Sequence, residues 1–78
     1  MPKIPIVKAK DFYKYLLKYG CEPISVRSSH FKLCNPKTNK PATVPIHGGK
    51  DLGKGLFADI LSELGIDIDD FLEFMEDN

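Results

Sequence analysis

Tryptophan is absent from these 78 residues, cysteine occurs twice, and no apolar run exceeds three residues, as in Tyr15-Leu16-Leu17 and Leu56-Phe57-Ala58. A membrane-spanning helix needs about 18 or more apolar residues in succession, so no span is predicted. The opening Met1-Pro2-Lys3-Ile4-Pro5 lacks the apolar core of a secretory signal. Two cysteines, Cys21 and Cys34, do not make a disulfide framework, which in small secreted domains is much denser. Cys21, His30, Cys34 and His47 can be written as a four-ligand metal set, but structural zinc sites bring their ligands in closely spaced pairs, and these are nine, four and thirteen residues apart. No metal site is predicted, and both thiols are expected to be reduced and partly buried. The chain also has no Gly-x-x-x-x-Gly-Lys-Ser/Thr loop, which disfavours nucleotide hydrolysis. The expectation is a soluble, intracellular protein of one domain, residues 1–78, with a core small enough that its stability margin is thin.

What the chain does contain is a division of charge. The net charge is zero, yet residues 1–50 carry ten Lys/Arg against two acids, Asp11 and Glu22, while residues 51–78 carry only Lys54 against nine acids. That asymmetry fits a basic surface for a polyanion beside an acidic end, and equally two solvated faces that attract each other in the fold.

Hydrophobic spacing lays out the elements. Between Lys8 and Tyr19, Phe12, Tyr13, Leu16 and Leu17 recur at helical intervals, and Gly20 supplies a helix stop. Three β-type segments follow, Pro23–Arg27, Ser29–Cys34 and Ala42–Ile46, separated by the turn residues Asn35-Pro36 and Asn39 to Pro41. Pro45 has no amide donor, which puts the third strand at a sheet edge. A second helical stripe, Leu56, Phe57, Ile60, Leu61 and Leu64, is closed by Gly65. Asp67 then starts a short third helix carrying Ile68, Phe71, Leu72 and Met75. The fold class is α+β, in the order α-β-β-β-α with a short extra C-terminal helix, the helices covering one sheet face and leaving the other wet.

Alternation along the strands makes that wet face informative. With Ile24, Val26, Phe31 and Leu33 turned to the core, Ser25, Arg27, His30 and Lys32 point outward. Cations on either side of His30 favour its neutral, proton-accepting form, although an exposed surface histidine is also an ordinary thing to find. Lys50 and Lys54 flank a glycine-rich loop just before the second helix, where free amide donors attract phosphate; a flexible turn explains the same glycines.

Taken in order, Ser28-Ser29-His30-Phe31, Thr43-Val44-Pro45-Ile46-His47, Lys54-Gly55-Leu56, Ile60-Leu61 before Leu64-Gly65, and the acidic segment from Ile66 to Phe74 resemble a HicA-type toxin. The resemblance runs from about Lys10 to Phe74. It implies a double-stranded-RNA-binding-like fold and a cytoplasmic, cofactor-free endoribonuclease that cleaves mRNA and blocks translation. It also implies a HicB-type antitoxin partner, with the free toxin a monomer and the pair a hetero-oligomer. The family's catalytic histidine falls on His30, in a Gly-Ser-His stretch whose first position is Ser28 here. RNA contacts are expected from Arg27, Ser29, Lys32, Lys50 and Lys54. His47 also matches a family position and reads first as a loop or capping residue. Two rival readings stand beside the nuclease: an RNA-binding module of the same fold without catalysis, and a protein-binding partner acting through its acidic helices.

Overall fold

A computed structural model describes residues 3–78; Met1 and Pro2, which open the segment read above for a secretory signal, lie outside the described residues. The elements are β1 (Val7–Lys8), α1 (Ala9–Tyr19), β2 (Glu22–Arg27), β3 (His30–Asn35), β4 (Lys40–Pro45), β5 (Asp51–Leu52), α2 (Lys54–Glu63) and α3 (Ile68–Asp77). β2, β3 and β4 form an antiparallel sheet in that order, with helices on one side, which is the double-stranded-RNA-binding-like α+β layout. No helix among the described residues is long and apolar enough to cross a membrane.

Both predicted glycine stops act as expected. At the end of α1 the Cys21 amide donates to the Leu16 carbonyl and the Gly20 amide to the Leu17 carbonyl, with Gly20 at φ +124°. The end of α2 repeats this pattern: Ile66 donates to Leu61 and Gly65 to Ser62, with Gly65 at φ +70°. This paired closure satisfies carbonyls that the helix leaves open and needs a positive φ that glycine adopts freely. Asp67 is the N-cap of α3, its carboxylate accepting from the amides of Asp69 and Asp70 at 2.8 and 3.2 Å.

The three helices meet through one phenylalanine each. Phe12, Phe57 and Phe71 are fully buried, with ring centroids 4.7 Å apart for Phe12–Phe57, 5.6 Å for Phe12–Phe71 and 6.0 Å for Phe57–Phe71. Tilted and edge-on arrangements at these distances add specific attraction to the burial of large apolar surface. Leu16, Leu33, Val44, Ile60, Leu61 and Leu64 complete the core.

Four apolar residues leave the positions expected of them. Ile24 and Val26 are each 55% exposed. Val26 stands opposite Phe31 on the helix-facing side, but β2 is an edge strand that the helices do not cover, and the pairing slips between Pro23 and Ser25, leaving Ile24 at an irregularity. Leu17 and Leu56 lie on the solvent margins of their helices, at 37% and 39% exposure. β4 takes the sheet edge that Pro45 required.

A short antiparallel pair, β1 with β5, went unforeseen. It sets Val7 opposite Leu52 and Lys8 opposite Asp51, and the Ala9 amide donates to the Lys50 carbonyl at 3.1 Å. Two residues per strand are too few to show a period in the sequence, so only tertiary contact reveals it. The pair ties the loop before α2 to the start of α1.

Candidate nucleic-acid interface

Register builds the wet face one row at a time. β3 pairs Arg27 with His30 and His30 with Pro45; the next row is Ser25, Lys32 and Thr43. Since neighbours across a sheet share a face, Arg27, His30, Lys32 and Thr43 emerge together. Ser25, Arg27, His30, Lys32 and Thr43 line a shallow hollow of about 300 Å³. Its lining carries two fixed positive charges, two hydroxyls and one imidazole, and no carboxylate. Such a set attracts a phosphate rather than a hard cation.

The histidine is delivered to this face by a two-residue hairpin. Arg27 and His30 are its flanking pair, with Ser28 and Ser29 as the turn. Ser28 has φ +56°, while Ser29 is not among the positive-φ residues. A positive φ confined to the first turn residue is the mark of a type II′ turn, whose first position favours glycine. Here serine holds that position, at the expense of strain. The half-buried Ser29 accepts a 2.7 Å hydrogen bond at its carbonyl from the Ile46 amide, which locks the turn against the end of β4.

The other expected contacts lie apart from the hollow. Lys54 is the first residue of α2; Gly53 is the N-cap, no side chain caps the helix, and its first turn holds no acid. The free amides there, with Lys54 beside them, form a second anion-attracting position. Lys50 is exposed in the preceding loop, its amide donating to the His47 carbonyl at 3.2 Å. The loop thus starts at the Ser29–Ile46 contact and ends at the α2 N-terminus, linking the two cationic positions through the chain.

A cation that the sequence reading missed joins this loop. The Lys8 ammonium lies 3.9 Å from where a β-carbon on Gly49 would stand. No periodic signal marks Lys8; its place depends on the β1–β5 pairing. Cys21 and Cys34 are free, and among the described residues no three His, Cys, Asp or Glu side chains gather as metal ligands.

A three-stranded antiparallel sheet with helices on one face and a cationic, histidine-bearing hollow on the other defines a double-stranded-RNA-binding-like domain. Comparison with known proteins goes further. Residues 9–66 match the family model described as HicA toxin of bacterial toxin-antitoxin. The chain is 33% identical over 60 residues to the Probable mRNA interferase HicA of Pseudomonas fluorescens (strain Pf0-1), an alignment covering 77% of this chain and 97% of that protein. The chain belongs to the HicA toxin family.

Proposed function

We propose that the chain is an endoribonuclease toxin that cleaves mRNA in the cytoplasm, with His30 moving the proton at the reacting 2′-hydroxyl and a HicB-type antitoxin restraining it. RNA brings its own nucleophile. The oxygen of the 2′-hydroxyl loses its proton, bonds to the adjacent phosphorus, and displaces the 5′-oxygen of the next nucleotide, giving a 2′,3′-cyclic phosphate and a 5′-hydroxyl end. The protein need only accept the proton and stabilise the charge that grows on the phosphate oxygens.

The observation that carries this reading is His30 on an open sheet face, opposite Arg27 and one row from Lys32, in a hollow without carboxylates. Arg27 and Lys32 offset the developing negative charge, Ser29 meets the RNA at the turn beside them, and Lys50 and Lys54 hold more distant phosphates. Recognition through backbone and 2′-hydroxyls is the habit of this layout, so shape rather than base sequence governs binding. No metal is invoked, because the nucleophile is intramolecular and the hollow's donor set is cationic. The antitoxin acts in trans: Phe71 is fully buried and Leu72 and Met75 pack against the core, so α3 is anchored and its acids are not free to cover the sheet.

Induced expression of wild type and His30→Ala, with growth and total mRNA followed, tests the proposal. The variant is expected to stay folded, to bind RNA nearly as well, and to lose about 10²–10⁴-fold in cleavage. A folded His30→Ala protein that still arrests growth and degrades mRNA removes the assignment. If wild type itself binds RNA without cleaving it, the non-catalytic module is the correct reading.

A further inference from the structure

Cleavage through the 2′-hydroxyl moves two protons, and the hollow supplies a single imidazole. As the O2′–P bond forms, the 2′-oxygen must lose its proton; as the P–O5′ bond breaks, the 5′-oxygen must gain one. In-line displacement puts these oxygens on opposite sides of the phosphorus, so one imidazole cannot reach both at once. With His30 alone, the second transfer falls to water.

The strand ladder brings in a second imidazole. β4 ends at Pro45, opposite His30, but its pairing continues one residue further through the 2.7 Å hydrogen bond from the Ile46 amide to the Ser29 carbonyl. Alternation continues too. Val44 is fully buried and Ile46 packs against the core, so Pro45 and then His47 fall on the wet side. His47 is exposed, and immediately after it Gly48, at φ +60°, turns the chain away. The Lys50 amide donating to the His47 carbonyl at 3.2 Å closes that turn and fixes the backbone from which the imidazole projects. His47 is thus the diagonal neighbour of His30 across the β3–β4 pair, a relation that separates backbones by about 7–8 Å. Two rings at that spacing can face a single phosphate from its two sides.

We propose that His47 is the second proton-transfer residue of this ribonuclease, working with His30 across one scissile phosphate. The inference rests on the ribonuclease reading above and adds to it the group that completes the proton balance. One imidazole takes the proton of the 2′-oxygen and becomes charged; the other, charged at the outset, gives its proton to the 5′-oxygen and becomes neutral. Exchange with water restores both. The charged groups on the neighbouring elements are Arg27 and Lys32 on the sheet, Lys50 in the loop, Asp51 at the start of β5, and Lys8 against Gly49.

The test uses two RNA substrates, one ordinary and one with sulfur in place of the scissile 5′-oxygen. A thiolate leaves without needing a proton, so the sulfur substrate makes the acid dispensable and leaves the base essential. On ordinary RNA, His30→Ala and His47→Ala are each expected to lose about 10²–10⁴-fold in rate. On the sulfur substrate one of the two variants should recover most of that loss, and the other should not. His47→Gln, which keeps a polar side chain in the turn, should match His47→Ala in rate while retaining the wild-type melting temperature. Two results overturn the proposal: cleavage of ordinary RNA by both His47 variants within a few-fold of wild type, or recovery of neither alanine variant on the sulfur substrate. Failure of wild type to cleave either RNA would instead sink the ribonuclease reading, and the inference with it.

Discussion

Ser28 shows how much one side chain can be asked to tolerate. It holds φ +56° at the turn that presents His30, a conformation in which a β-carbon crowds the following carbonyl. Ser28→Gly relieves that crowding but loosens the unfolded chain, so a net gain of about 0.5–1 kcal/mol is expected. Urea denaturation measures it, and a variant no more stable than wild type would show that the turn carries no strain. Cys21 makes a different demand. Burial, with a smaller contribution from Cys34, pushes its thiol up from 9.0 to about 11. A raised folded-state value means the protonated thiol is favoured in the fold, so its contribution is complete below pH 9 and is lost as pH rises towards 11. The phenol of Tyr19 is also raised, by burial first and then by Asp70 and Asp67, and acts in the same direction above pH 10. Stability measured between pH 8 and 11 should therefore fall, and Cys21→Ala should flatten the earlier part of the fall. An unchanged profile in that variant would remove Cys21 as the cause.

The joints between elements depend on a few polar contacts. The side-chain amide of Asn35, at the buried end of β3, donates to the Leu64 carbonyl at 3.0 Å, and the Thr38 hydroxyl donates to the same oxygen at 2.6 Å. The Asn35 side-chain oxygen in turn accepts from the Lys37 amide at 3.1 Å. The β3–β4 loop is thereby fastened to the end of α2, with every buried polar side-chain atom among the described residues partnered. Gly65 lies within this clasp. It has φ +70°, and a β-carbon there would come 2.9 Å from Thr38 Cγ2. Gly65→Ala meets both a disfavoured backbone and a steric conflict, and should cost about 1–3 kcal/mol, read as a fall in melting temperature. Because the clasp lies at the far end of β3 from His30, cleavage by the folded fraction should be unaffected. A neutral Gly65→Ala would mean that the loop yields easily.

Across the molecule the division of charge becomes a division of surfaces. The wet sheet face and the loop before α2 are cationic, while α3 carries Asp69, Asp70, Glu73, Glu76 and Asp77. If Arg27, Lys32, Lys50 and Lys54 meet phosphates, RNA affinity should fall steeply with salt, by close to one power of salt concentration per contact. Reversing the charge of Lys50 and Lys54 should weaken binding to unrelated RNA sequences alike and flatten the salt slope. Filter binding over a salt series reads both quantities. Affinity and slope unchanged in that double variant would place the RNA elsewhere.

Local chemistry was enough to locate the helices, their glycine ends, the Asp67 cap and the outward register of His30 between Arg27 and Lys32. Each follows from steric preference or from the two- and 3.6-residue periods, which act over a few neighbouring residues. The family resemblance was likewise carried by short ordered segments of the chain. The strand register and the reach of the helices were not legible in this way, because both depend on partners distant in sequence. Val26 sits on the apolar side of its strand and is still half in water, since nothing in its own segment reports that β2 lies at the edge of the helix cover. Lys8 reaches the loop at Gly49 through a strand pair of two residues. His47, read locally, is a loop histidine. The Ile46–Ser29 hydrogen bond carries the β4 register far enough to set it diagonally from His30, and that bond joins positions 17 residues apart, beyond the range of any local pattern.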